Sequence, residues 1–375
     1  MSSAIAMACA APLSDTIAAV IALPRPVPPV LGVGAFLKNT LCLADGSQAL
    51  VTADFGDLAT VPAVLAFEAA AEALLARSRA QVTQVAHDLH PNFHSTRYAV
   101  ALAERLGVEA TAVQHHHAHV AAVMAEHGCE TPVLGLSLDG FGLGPDRDSW
   151  GGELLRVDAA GCRRLGHLAL LPQPGGDRAA REPWRMGAAV LHALGRSAEI
   201  SARYEALPGA GVVAQMLARS VNCPPTSSCG RLFDAACGLL GIKLIAAFEG
   251  EAPMALERLV RRPRVEPSGW RLADGVLDFK PLLARLVDLP AEDGADIFHG
   301  TLVGGMAAWV AEAAAATGIR RVVLSGGCFF NRVLTEGLGA ALREHDIEAL
   351  RPIQLSPGDG AISLGQAWVA AMAKG

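Results

Sequence analysis

Two apolar runs broken by glycine, Leu31-Gly32-Val33-Gly34 and Leu134-Gly135-Leu136-Ser137, open two similar blocks in a chain of 375 residues. Each block starts with β-rich segments and continues into alternating helices and strands. A chain written this way buries its apolar faces by joining strands into a sheet and covering that sheet with helices. The first block reads as a hairpin over 31–43 and 48–52 turning at Asp45-Gly46, then a helix over 63–80 entered through Pro62. A buried strand over 82–87 follows, then a helix to 106 capped by Ser95 and stopped at Gly107. Val113 leads into a histidine-rich helix. The second block reads as strands over 133–138, 152–157 and 162–170, and helices over 183–194, 230–240 and 296–317. It closes with a strand over 321–325, a helix, a strand over 349–353 and a helix from Asp359.

This order resembles the duplicated α/β lobes of the actin and sugar-kinase (ASKHA) superfamily, which implies an interlobe cleft that binds nucleotide. On that reading residues 1–29 are an N-terminal extension ending in a stiff Pro-rich linker, Pro24–Pro29. Residues 30–130 form a first lobe with the histidine helix, and 131–375 a second lobe with nucleotide-binding loops. A net charge of −6, with 18% charged residues, offers no basic surface for nucleic acid. The eight cysteines are scattered, with no Cys-x-x-Cys pair, which fits a reducing cytoplasm and excludes a zinc ribbon. The alanine-rich N-terminus lacks a basic segment and is interrupted by Asp15, unlike a signal peptide. Glu312 breaks the longest apolar run, over 302–318, so no membrane span is expected.

The strongest chemical signal is Gln114-His115-His116-His117-Ala118-His119. His115 and His119 stand four residues apart, so on a helix both imidazoles share one face, which suits chelation of one metal ion. Val120, Val123 and Met124 carry the helix on to about His127. His116 and His117 fall off that face. Position 116 is not the Glu of a zinc protease, and a histidine run can also be a solvated helix start.

Three glycine loops adjoin predicted strands: Asp139-Gly140-Phe141-Gly142, Trp150-Gly151-Gly152-Glu153 and Ser325-Gly326-Gly327. Each can be an ordinary turn. Each can equally let backbone amides approach phosphate oxygens at the mouth of a helix. Asp359, in Pro357-Gly358-Asp359-Gly360, reads first as a helix cap, and otherwise as a hard oxygen ligand completing a His-His-Asp site. Lys38 either neutralises a phosphate or carbamoyl oxygen or is solvated. Arg181 and Arg185 either do the same or pin loops through salt bridges.

Further stretches carry a more specific resemblance. They are LKNTLCL (37–43), HDLHPNFHSTRYA (87–99), VQHHHAHVAAVMAEHG (113–128), LDGFGLGPDRDSWGGE (138–153) and PGGDRAAREPWRM (174–186). TSSCGRLFDAACGLLG (226–241), FEGEAPMALE (248–257) and SGGCFFNRVL (325–334) complete the set. Together they resemble the C-terminal part of the HypF carbamoyltransferases of nickel–iron hydrogenase maturation, which is related to the tRNA threonylcarbamoyl transferase TsaD. The resemblance runs from about residue 30 to the end. The acylphosphatase, zinc-binding and YrdC-like domains that precede this part in the family are not in the sequence, as in a natural short form or an excised domain.

Residue by residue, the resemblance implies that His115, His119 and Asp359 hold a divalent metal, iron or zinc. Asp139 and Gly140 would line the phosphate side, Asp139 near enough to join the metal shell, with Gly152, Gly326 and Gly327 facing the phosphate as well. Asp234, Gly250 and Asn331 match positions that hold the nucleoside, Asp234 as acceptor from ribose hydroxyls unless it is only an exposed helix residue. Glu249 is a weaker ribose candidate. Lys38 and Asp139 are the catalytic candidates. The implied reaction passes a carbamoyl group from carbamoyl-adenylate, made from carbamoyl phosphate and ATP, to the C-terminal cysteine thiol of a partner, HypE. A separate YrdC-like protein would make the adenylate, and no nucleic acid or membrane takes part. The competing readings are a phosphotransferase of the same fold, a carbamoyl-phosphate phosphatase, and a HypE-binding scaffold without catalysis.

Overall fold

Strand β1 (Ile17–Gly32) runs straight through the proline-rich stretch that composition marks as a linker. It pairs antiparallel with β2 (Cys42–Thr52), and the ladder shifts register between Ala22 and Val27 and again between Val27 and Val30. Pro24, Pro26, Pro28 and Pro29 fall at those shifts, where a missing N–H costs no ladder bond. On its other side β1 pairs through Val30, Leu31 and Gly32 alone, so most of the prolines lie along an edge. The hairpin turn also differs from expectation. Gly32 faces Cys42, so the turn is the loop 33–41, while Asp45 and Gly46 lie inside β2.

The structure is a computed structural model that describes residues 16–158 and 161–373; the alanine-rich segment 1–15, Asp15 included, lies outside the described residues. The chain divides into two units, Met1–Glu130 with Pro352–Gly375, and Thr131–Arg351. The closing segment, read from sequence as part of the second lobe, thus packs with the first unit. No helix of the described residues is long and apolar enough to cross a membrane.

In the first unit the sheet order is β2-β1-β3-β4, where β3 is Gln84–Asp88 and β4 is Glu109–Val113. Both faces are covered, as parallel strands require. Leu31 and Val85 point to one side with Phe67, Leu74 and Leu102 of the helices Val61–Arg77 and His94–Leu106. Val30, Ala86 and Val113 point to the other, under the histidine helix His115–Glu126 and the closing helix Ile362–Met372. Those two helices approach through Ala118, Ala121, Ala122, Ala125, Ala367 and Ala371. A Cβ on Gly365 would lie 1.8 Å from the Ala118 carbonyl oxygen, so only glycine permits the contact. Ser95 does not cap its helix, which starts at His94; its hydroxyl donates to the Ala35 carbonyl instead, 2.6 Å.

The second unit is built on β5 (Val133–Leu143), β6 (Ser149–Asp158) and β7 (Gly161–Leu168), with the two-residue strands β8 (Leu171–Pro172) and β9 (Pro225–Thr226) beside them. Strands β10 (Arg271–Ala273), β11 (Val276–Asp278), β12 (Arg321–Ser325) and β13 (Glu348–Leu350) complete its sheet, in the order β10-β11-β7-β6-β5-β12-β13. Within it β6-β5-β12-β13 pair antiparallel, parallel, parallel, as do β2-β1-β3-β4. The two runs that open the sequence blocks are the matching strands β1 and β5. Duplication is therefore visible in the topology of the lobes.

Candidate functional site

In the first unit the histidine helix starts two residues after β4, and Gln114 caps it by accepting from the His117 amide at 2.9 Å. His115 and His119 are both buried on one face. Their Nε2 atoms lie 3.7 and 3.6 Å from Oδ1 of Asp359. Two imidazole nitrogens and a carboxylate oxygen within 4.8 Å of one another are a donor set that suits Fe(II) or Zn(II) with positions left open. His116 is held elsewhere, its Nδ1 accepting from the Gln114 amide at 3.0 Å.

Two residues that sequence reading passed over build this cluster. Asp88 ends β3, is fully buried, and takes His115 Nδ1 at 2.7 Å. Glu126, in the last turn of the histidine helix, accepts the amides of Ile353, Gln354 and Leu355 at 2.8–2.9 Å. That clamp steers the chain into the short helical turn at Asp359–Ala361, so Asp359 does sit at a helix entry as its sequence suggested. Thr40 adds a second tie, its hydroxyl reaching the Gly360 carbonyl at 2.9 Å and Ser363 Oγ at 2.7 Å. The signal in Asp88 was a carboxylate at the end of an otherwise buried strand. Glu126 carried no sequence signal, since a helix-end glutamate is ordinary.

Lys38 stands exposed in the loop 33–41, with φ 51° in the left-handed region. Its neighbour Asn39 locks the loop by donating to the Val33 and Ala35 carbonyls, both at 2.8 Å.

In the second unit, Asp139 and Gly140 lie on β5 past its pairing with β12. Gly327, just after β12, donates its amide to Asp139 Oδ1 at 3.1 Å. Gly326 has φ 100°, and a Cβ there would lie 2.4 Å from the Leu138 carbonyl oxygen, so this turn demands glycine. Ser228 caps the helix Cys229–Leu240 and its hydroxyl lies 3.0 and 2.7 Å from the carbonyls of Asp139 and Gly140. Asp139, Gly140, Gly326 and Gly327 thus converge with a helix N-terminus, the arrangement that favours an anion.

Gly152 stands differently. Its amide and that of Gly151 donate to the buried Glu153, at 3.2 and 3.1 Å, and Glu153 is further held by Ser227 and Arg164. The Gly152 N–H expected to face phosphate is thus committed to a carboxylate of its own strand.

Asp234 is buried, not exposed, and pairs with Arg231 at 2.7 Å. Burial pushes its carboxyl up to about 6 against the pull of that guanidinium. Asn331 caps the helix Arg332–Glu344, accepting from the Leu334 amide at 2.9 Å, and its Nδ2 faces His299 Nε2 at 2.9 Å. With Asn331 Nδ2 donating to Nε2, His299 Nδ1 is the nitrogen that donates to the Ala295 carbonyl, and burial lowers the ring's pKa. Gly250 is exposed at the start of the helix Glu251–Arg258 with φ 81°. Arg185 is buried and donates to Glu182 at 2.6 Å, a loop-pinning pair.

Comparison with known proteins gives these positions a family. Residues 135–366 match the carbamoyltransferase Kae1-like domain, second subdomain, and residues 25–126 match the HypF Kae1-like domain. The chain is 48% identical to a carbamoyltransferase HypF homolog of Cupriavidus necator, over 92% of this chain and 91% of that protein. It is 47% identical to carbamoyltransferase HypF2 of the same organism, covering 93% of this chain and 47% of that one, so it spans about half the length of the longer relative. The crystal structure of full-length HypF in a phosphate- and nucleotide-bound form superposes with a TM-score of 0.86 at 31% identity, over 94% of this chain and 57% of that one. With both Kae1-like segments matched in order and the α/β lobes shared, the chain belongs to the HypF carbamoyltransferase family.

Proposed function

We propose that this chain transfers a carbamoyl group from carbamoyl-adenylate to the C-terminal cysteine thiol of HypE, toward the cyanide ligands of nickel–iron hydrogenase. The observation that carries the reading is the pair of Kae1-like matches over 25–126 and 135–366. The phosphate- and nucleotide-bound state of a related HypF supports ATP or its carbamoyl adduct as the ligand.

The roles we propose are those that the family resemblance implies for these positions. Asp139, Gly140, Gly326 and Gly327 form the phosphate side, beside the N-terminus of the helix Cys229–Leu240, whose dipole favours leaving charge. Asp234, Gly250 and Asn331 form the nucleoside side, Asp234 ionised above about pH 6 and able to accept from ribose. Lys38, on its exposed loop, is the cation for a carbamoyl or phosphate oxygen. His115, His119 and Asp359 would hold iron or zinc, which supplies Lewis-acid polarisation of such an oxygen. The nucleophile comes from the partner. Within this chain the Cys328 thiol is pushed well up by its hydrogen bond to Cys229 and by burial, and that of Cys237 by burial, which suits neither for attack.

Activation is assigned elsewhere. It needs the carbamoyl oxygen held in line with an ATP α-phosphate, and the glycine loops here serve one nucleotide. Preformed carbamoyl-adenylate should therefore give HypE a carbamoyl mass increment with this chain alone. ATP and carbamoyl phosphate should do so only when a YrdC-like protein is added. No increment from the preformed adenylate would sink the proposal, and phosphate release from carbamoyl phosphate without HypE would replace it with hydrolysis.

A further inference from the structure

We propose, resting on the reading of His115, His119 and Asp359 as metal ligands, that Asp88 is the positioning residue of that centre: its carboxylate fixes the His115 ring and its proton so that Nε2 is the atom offered to the ion. The chain's own geometry places the two together. Asp88 is the last residue of β3, an inner strand of the four-stranded sheet, and is in register with Val113 at the end of β4. The histidine helix begins two residues beyond Val113, so His115 emerges beside Asp88.

The contacts are then specific. Asp88 Oδ2 lies 2.7 Å from His115 Nδ1, and both side chains are almost wholly buried. Oδ2 is placed to accept across this contact, which assigns the imidazole proton to Nδ1 and leaves the lone pair on Nε2. Nε2 is the atom that faces Asp359. The other oxygen, Oδ1, accepts the His90 amide at 2.9 Å, which stops the carboxylate from rotating. The Asp88 carbonyl is tied as well, to His87 Nδ1 at 2.7 Å and to the Thr96 hydroxyl at 3.3 Å. Among the described residues no lysine or arginine pairs with Asp88, and a buried carboxylate left so is costly unless it serves a charge nearby. A cation held by the far nitrogen of the same imidazole would provide that charge, with the Nδ1–H directed at Asp88. Partners of this kind set the tautomer and basicity of a ligating histidine, and losing one weakens metal binding roughly 10–100-fold.

Asn at position 88 keeps the shape. It removes the charge, and with Oδ1 kept on the His90 amide its Nδ2 takes the place of Oδ2 and donates to Nδ1, which favours the tautomer whose Nε2 carries the proton and cannot ligate. The test uses the full chain, stripped of metal and titrated with Co(II) and Zn(II) against a chromophoric chelator. Asp88→Asn should bind each ion roughly 10–100-fold more weakly, with an altered Co(II) d–d spectrum. His119→Ala should lose stoichiometric binding. Wild-type affinity and spectrum in Asp88→Asn, beside lost binding in His119→Ala, would overturn the role of Asp88 and leave the metal site standing. Unchanged binding in both variants would overturn the ligand reading itself. Should Asp88→Asn fail to fold, imidazole nitrogen NMR on the metal-free wild-type chain decides the matter. The His115 proton on Nδ1 is expected, and a proton on Nε2 refutes the proposal.

Discussion

Replacing Gly365 by alanine should part the histidine helix His115–Glu126 from the closing helix Ile362–Met372. The Cβ would stand 1.8 Å from the Ala118 carbonyl oxygen and 2.6 Å from its carbon, both backbone atoms that cannot swing away. A comfortable C···O contact is roughly 3.3 Å, so the helices must separate by about 1.5 Å. A gap of even ~1 Å forfeits up to about half of each dispersion contact across the seam. The seam includes Ala118, Ala121, Ala122 and Ala125 on one side and Ala367 and Ala371 on the other, all buried. Adding the strain of an overfilled site gives about 3 kcal/mol. At about 1.4 kcal/mol per factor of ten, that is a loss of amide protection of roughly 100-fold. Hydrogen exchange with mass spectrometry reads it directly, in peptides covering 115–126 and 362–372. The helix Cys229–Leu240 of the second unit is the internal control and should not change. Equal protection of both helices in wild type and Gly365→Ala would refute the steric account.

Three further outcomes are expected. Glu126→Ala removes the acceptor of three amides, but the Ile353 end is largely exposed and water replaces part of the loss. The cost should be about 1–2 kcal/mol in urea denaturation, with weaker Co(II) binding because Asp359 is no longer steered. For Asp234, burial raises the folded-state pKa from 3.8 to about 6, so the native state binds the extra proton between those values. Stability should therefore fall as pH rises from about 4 to 6, by something on the order of 3 kcal/mol, and level off above; Asp234→Asn should flatten that slope in pH-dependent urea midpoints. Gly211, exposed in the first turn of the helix Ala210–Ala218, where an added Cβ would meet Ser201 Oγ at an ordinary 4.0 Å, should accept alanine with a gain of about 0.5 kcal/mol in thermal unfolding.

The sheet-and-helix order and the paired lobes were legible because buried strands and amphipathic helices write their periods into the chain. The His115 and His119 pair was legible for the same reason: ligand spacing on one helix is local. What failed was non-local. Prolines forbid a central strand, but nothing in 24–29 tells that this strand's second side stays largely unpaired there. The last helix follows β13 in sequence, yet its glycine and alanine face fits the small-residue face of a helix more than two hundred residues earlier. Gly152 was legible as a backbone needing no side chain, while the neighbour that takes its amide, Glu153, looked like any strand carboxylate. For Asp234 only the alternative reading, an exposed helix residue, failed; it rested on residue type alone, because a charged residue in a helix is usually solvated.

The first unit draws its strands from the beginning of the chain and its closing helix from the end, while the second is one uninterrupted segment. During synthesis residues 131–351 can therefore fold while the first unit still has one face of its sheet bare, over Val30, Ala86 and Val113. Ile362, Leu364 and Trp368 arrive last and close that face, and Asp359 arrives with them. The approach of Asp359 to His115 and His119 and the completion of that core become a single late event. A ribosome stalled before residue 359 would hold a chain with that face still bare and with His115 already set against Asp88, lacking only Asp359.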